Sequence, residues 1–250
     1  LQRKIIAIAL RTCDSSFSFW DEGTRFVDAS KSEITLTCLK SLKAAIDKCN
    51  HDVRLSVHDD TSSQETIDQI HNILGPGFEF INSGKRNNFV TQYDWLKKQE
   101  CDYIYMVEDD YLHKENSLNE MIDFIQYMKS FVNDDHEYAV FPFNNPHRYV
   151  SVQSIYPSII IKKDCEYWRS SFHSTHTFLA PRLIFDVYDN IMQKQAYEWA
   201  FNASVEDKTI NNVWQEQYIR LMTPLNSLVY HLADSSQEVE GWKEIWDYYK

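Results

Sequence analysis

Hydrophobic and polar positions in the first half of the chain switch between two periods. Ile5 to Leu10 is an unbroken apolar run, as a strand buried on both faces requires. Ile34, Leu39, Leu42, Ala45, Ile46 and Cys49 then fall near helical spacing and predict a helix over 33–49. Val53-Arg54-Leu55-Ser56-Val57 predicts a second strand, and the stretch from Glu65 to Leu74 a second helix, broken by Gly75-Pro76-Gly77. Phe78-Glu79-Phe80-Ile81 predicts a third strand, with a loop at Gly84 and a helix over 88–99 beyond it. Tyr103 to Val107 predicts a fourth strand, followed by a helix over 117–131. Repeated β-α-β of this kind argues for an α/β fold with a mostly parallel, Rossmann-like sheet and right-handed crossovers.

The second half is less regular. Strands are predicted over 138–143, 149–153 and 158–162, with Pro-containing turns between them. Helical patterns return over 181–195 and 206–222, and a last strand, Ser227-Leu228-Val229-Tyr230, ends at His231. The change of character divides a single domain into a nucleotide-type half over 1–112 and a variable acceptor half over 113–250.

The fourth strand runs directly into Glu108-Asp109-Asp110. Acids at the carboxyl end of a parallel strand sit in the crevice where open α/β sheets bind ligands. Carboxylates this close repel one another unless a cation offsets them. A hard divalent ion, Mn²⁺ or Mg²⁺, does so and usually shares its shell with substrate phosphates. An acidic turn closing a strand gives the same letters, so the triplet alone leaves both readings open.

Composition narrows the choice of partner. With 250 residues the chain can bury a sizeable core, and no apolar run is long enough to cross a membrane. A formal net charge of −12 makes nucleic acid a poor partner, while an anionic nucleotide needs local cations or metal. Five widely spaced cysteines without C-x-x-C predict reduced thiols in a cytoplasmic compartment. The chain opens at Leu1 without Met and is expected to be a piece of a longer protein.

Other candidates stand at strand ends. Asp59, in His58-Asp59-Asp60-Thr61-Ser62, follows the second strand; Arg11 and Thr12 follow the first. Asp and Ser also close turns with their own side chains, which accounts for Asp60. Lys85 and Arg86 after Gly84 could meet a diphosphate, but five glycines in the whole chain provide no Gly-rich phosphate cradle. Glu206 and Asp207 open a predicted helix, where the helix dipole favours acids; the alternative role is a general base. His231 can terminate a strand or complete a carboxylate metal site. His173 and His176 have no accompanying ligand cluster and are expected to line a polar pocket. No H-E-x-x-H or G-x-S-x-G is present.

Taken in order, these elements resemble the GT-A glycosyltransferases, especially inverting, family-2-like enzymes dependent on nucleotide sugars. The resemblance spans about residues 5–235 and rests on Arg11-Thr12, on His58-Asp59-Asp60-Thr61-Ser62, on Glu108-Asp109-Asp110, on Val205-Glu206-Asp207 and on Tyr230-His231-Leu232-Ala233-Asp234-Ser235. It implies that Asp59 holds the nucleobase and that Arg11 and Thr12 lie beside the nucleotide; Arg86 is a nucleotide-binding candidate by its place after Gly84. It implies further that Asp110 and His231 bind the metal, with Glu108 and Asp109 toward the ribose or metal waters. Asp207, with Glu206 as second choice, would be the base. Glu108-Asp109-Asp110 departs from the usual D-x-D. The activity implied is transfer of a sugar from a nucleoside-diphosphate sugar, UDP favoured, to a glycan or glycoconjugate hydroxyl, with membrane contact through the acceptor or flanking domains. A retaining enzyme, a nucleotidyltransferase and an inactive glycan-binding module are the alternatives; Arg11 to Ser16 lacks the glycine of nucleotidyltransferase loops.

Overall fold

The computed structural model describes residues 3–14, 26–84, 87–132, 135–146, 149, 157–198, 209–232 and 238–250. Strands β1 (Ile5–Thr12), β2 (Asp52–Asp59), β3 (Glu79–Asn82) and β4 (Tyr103–Val107) alternate with helices α1 (Lys31–Asp47), α2 (Gln64–Leu74) and α3 (Asn88–Lys97). They pair in parallel in the order β3-β2-β1-β4. Each element lies within a few residues of its predicted place, because β1 and β4 are continuous apolar runs and α1 and α2 carry local caps. Helix α1 is fixed by a capping box between Ser30 and Glu33, and α2 by Ser63 at its start and Gly75, at φ +66°, at its end.

After β5 (Tyr111–His113) and α4 (Ser117–Phe131), the second half extends the same sheet with β6 (Glu137–Val140), β7 (Ile160–Lys163), β8 (Glu166–Ser171), β9 (Phe178–Pro181) and β10 (Ile219–Pro224). The nine-stranded order is β3-β2-β1-β4-β9-β6-β10-β8-β7, and β8 and β9 alone run against the rest. Helices α5 (Ile184–Val187), α6 (Asp189–Glu198) and α7 (Ile210–Glu216) pack on one face. Strand β11 (Val229–His231) pairs with β5 in a separate small sheet, and α8 (Trp242–Tyr249) closes the chain.

Strand alternation sorts the core into two layers. Ile6, Ile8, Leu10, Tyr103, Tyr105 and Val107 face α1, α2 and α4. Ala7, Ala9, Ile104 and Met106 face α3 and the later helices. The small side chains of Ala7 and Ala9 admit α3 closely enough for Gln92 Nε2 to donate to the Ala9 carbonyl at 2.7 Å.

Several expectations for the second half are corrected. The helix over 206–222 extends among the described residues only from Ile210 to Glu216; Gln217 takes a left-handed φ of 60° and the chain enters β10. The pattern there is one of alternation, with Ile219 and Leu221 toward one core layer and Met222 toward the other. The helix over 181–195 is two helices, since Tyr188 leaves helical geometry. The strand over 138–143 ends at Val140, and the one over 149–153 lies almost wholly outside the described residues. Strands β8 and β9 were not predicted.

Candidate functional site

The site is built from the carboxyl ends of β1, β2 and β4. Thr12 pairs with Asp59 in register, and Arg11 with His58. Alternation turns Thr12 and Asp59 toward α1 and α2, and Arg11 and His58 toward α3. Asp59 is fully buried: Oδ1 accepts from the Thr12 hydroxyl at 2.9 Å and Oδ2 from the Ser62 N–H at 2.9 Å. Asp60 N–H donates to the Thr12 carbonyl at 2.8 Å, so the β2 turn is tied to β1.

The three consecutive acids point three ways, and each meets its own basic partner. Glu108 forms an ion pair with Arg11, whose guanidinium lies 4.1 Å from the Phe89 ring centroid. Its backbone N–H donates to the Thr177 hydroxyl at 3.1 Å. Asp109 turns inward to α1, accepting from Lys31 Nζ at 2.5 Å, the Thr35 hydroxyl at 3.1 Å and the Cys13 N–H at 2.9 Å. Asp110 faces His231, with Oδ1 to Nε2 at 3.4 Å. The mutual repulsion inferred from the sequence is therefore relieved at Glu108 and Asp109 by protein cations.

The β5–β11 pair sets the last contact. His231 lies opposite Tyr111 in register, and the Leu232 N–H donates to the Asp110 carbonyl at 2.8 Å. The imidazole stacks on the Tyr111 ring at 4.4 Å and 13°, with Phe143 at 6.1 Å. Tyr111 is itself held, its hydroxyl 2.7 Å from Thr175 Oγ1, and burial pushes its ionisation well above the usual phenol range.

Asp59, Arg11, Thr12, Glu108, Asp109, Asp110 and His231 are thus gathered at one end of the sheet. Arg86, Glu206 and Asp207 lie outside the described residues, as do Asp234 and Ser235. His176 is buried, with Nδ1 2.7 Å from Gln195 Nε2 and its ring 4.3 Å from Phe89, opposite in kind to an exposed ligand. Sequence reasoning missed Lys31, Thr35, Phe89, Thr175 and Thr177. Only Tyr111 had a signal, its place directly after the acids.

No protein-family model matches the sequence, and no curated protein matches it. Among solved structures, S. aureus TarS is similar over 91% of this chain and 36% of its own, at 11% identity and TM-score 0.51. The 4-diphosphocytidyl-2C-methyl-D-erythritol synthase of Anaerococcus prevotii matches over 98% and 96%, at 10% identity and TM-score 0.49. The bifunctional glycosyltransferase WbbM matches over 87% and 38%, at 9% identity and TM-score 0.48. The chain has a GT-A-type fold, with its mostly parallel sheet between helices. It spans about a third of the TarS chain, 36%. Among the described residues no helix is long and apolar enough to cross a membrane.

Proposed function

We propose that this chain is a divalent-metal-dependent glycosyltransferase, moving a sugar from a nucleoside-diphosphate sugar, UDP first among them, to a glycan or glycoconjugate hydroxyl. The observation that carries this reading is the meeting of Asp110 and His231, 3.4 Å apart at the carboxyl end of β4. A carboxylate with an imidazole is a donor set suited to Mn²⁺, and acceptable to Mg²⁺. Among the described residues no group of three or more His, Cys, Asp and Glu is placed to hold a metal, so phosphate oxygens and water would complete the shell. Bound there, the ion supplies positive charge against the charge developing on the departing diphosphate.

The chain's own residues do the remaining work. Tyr111 and Phe143 hold the His231 ring in place, so that Nε2 stays directed at Asp110. The Thr12–Asp59 wall shapes the place for the nucleobase; both Asp59 oxygens already accept bonds from the protein, so its role is to fix that wall. Arg11, braced between Phe89 and Glu108, brings a cation to the diphosphate side. Asp207, or Glu206, takes the acceptor proton as the hydroxyl attacks from the face opposite the leaving group, which inverts the anomeric centre.

Calorimetric titration with UDP, GDP and CMP, each with and without Mn²⁺, tests the reading. Selective UDP binding that requires Mn²⁺ and is lost in Asp110→Ala and in His231→Ala is the expected result. Nucleotide binding that ignores both substitutions would remove the metal assignment, and no nucleotide binding at all would overturn the function. In Asp207→Asn, donor binding is expected to persist while transfer falls by about 10²–10⁴-fold.

A further inference from the structure

Arg169 of β8 is a cation buried in the second half, 8% exposed, and no carboxylate among the described residues pairs with it. Among the described residues its side chain bonds to Asn144 Oδ1, reached by Nε and by one terminal nitrogen at 3.4 Å each, the long limit of a hydrogen bond. That oxygen also accepts from the Tyr149 hydroxyl at 2.9 Å, so one neutral acceptor serves both side chains. The guanidinium lies 4.9 Å from the Tyr149 ring centroid, which covers one of its faces. A buried guanidinium is ordinarily matched by an anion, since desolvating it without one is costly.

Directly opposite Arg169, on β10, is Thr223. Opposed residues of an antiparallel pair project to the same face. Thr223 is fully buried, and its hydroxyl has no hydrogen-bond partner among the described residues. A donor fork and a hydroxyl, neither matched among the described residues, thus share one face, at the end of the sheet where β4 and β10 finish. Asn144 follows Phe143, whose ring lies 6.1 Å from that of His231.

We propose that Arg169 and Thr223, with Asn144 and Tyr149, form an anion-binding subsite for a phosphate or carboxylate group carried by the acceptor. The naming of the acceptor as its source rests on the glycosyltransferase reading; the anion site itself does not. A planar guanidinium edge receives either group in a two-pronged bond, the threonine hydroxyl adds a third, and the half-exposed Tyr149 ring reaches the surface beside them.

Thermal-shift titration with inorganic phosphate and, separately, sodium acetate, each against NaCl of equal ionic strength, tests this on the whole chain. Saturable protection is expected for the wild type by at least one of the two, and the stronger arm names the group. Arg169→Gln should abolish it and Arg169→Lys should retain a weakened form. Thr223→Val should weaken it by about tenfold, while leaving the ligand-free protein at least as stable, because a partnerless hydroxyl is removed. UDP affinity with Mn²⁺ should be unchanged in Arg169→Gln. No saturable protection by either anion, or protection equal in wild type, Arg169→Gln and Thr223→Val, overturns the subsite. Parallel loss of phosphate and UDP binding in Arg169→Gln would give the arginine to the donor and overturn the acceptor assignment. Should UDP not bind even the wild type, the glycosyltransferase reading fails while the phosphate and acetate titrations still decide the anion site.

Discussion

Asp109 and Asp110 are chemically identical neighbours with different surroundings. Asp109 is buried against Lys31, Thr35 and the Cys13 N–H, and so ties α1 and the β1 loop to β4. Removing it would leave the mostly buried Lys31 ammonium without its counter-charge. Asp109→Ala is therefore expected to lower stability by about 3 kcal/mol or more in chemical denaturation. Asp110→Ala should unfold at nearly the wild-type denaturant midpoint while losing metal-dependent nucleotide binding. A matching stability loss in both variants would mean that Asp110 is as structural as its neighbour. Apart from the family resemblance, nothing in Glu108-Asp109-Asp110 distinguishes the three acids in the sequence. Strand alternation at the end of β4 and the partners supplied by β1, α1 and β11 separate them.

Elements of the first half were legible because each depends on local information. Ala7 and Ala9 alternate with Ile6 and Ile8, Ser30 caps α1, and Gly75 ends α2. Strand β8 was not legible: Glu166-Tyr167-Trp168-Arg169-Ser170-Ser171 has one large apolar residue facing the core. Its place is decided by Trp168 stacking on Phe124 of α4, at 3.8 Å and 10°. Trp168→Ala is expected to cost about 3–5 kcal/mol of stability, read as a lowered denaturation midpoint, whereas Tyr167→Ala on the exposed face should change it by less than about 0.5 kcal/mol. Strand β9 is four residues long and ends in Pro181, too short for any period to register. Strand β10 carried the period of a strand but adjoined a helix, and only the sheet gives Ile219 and Met222 opposite layers to fill.

Among the described residues, His113 and His58 are fully buried histidines that the proposed chemistry does not use. His113 is enclosed between Tyr105, 2.9 Å away, and the Tyr111 carbonyl, and burial lowers its pKa from 6.5 to about 4. His58 packs edge-on to Trp95, and burial lowers its pKa from 6.5 to about 3. Both are depressed in the folded state, so their contribution is complete above pH 6.5 and is lost as pH falls from there toward those values. Stability should drop by about 1.4 kcal/mol per pH unit for each histidine in that window. Denaturation midpoints measured from pH 7.5 to about 5 check this; His58→Leu should make the slope shallower by one proton's worth. An unchanged slope would mean that His58 keeps its solution behaviour. By itself the sequence determined the parallel first half, its crossovers and the clustering of Arg11, Thr12, Asp59 and the acidic triplet at strand ends, since apolar runs and helix stops act within a few residues. Tertiary structure decided which partner each acid meets, where β8, β9 and β10 enter the sheet, and that Arg169 lies buried opposite Thr223. Those outcomes depend on contacts between residues distant along the chain, which no local period encodes.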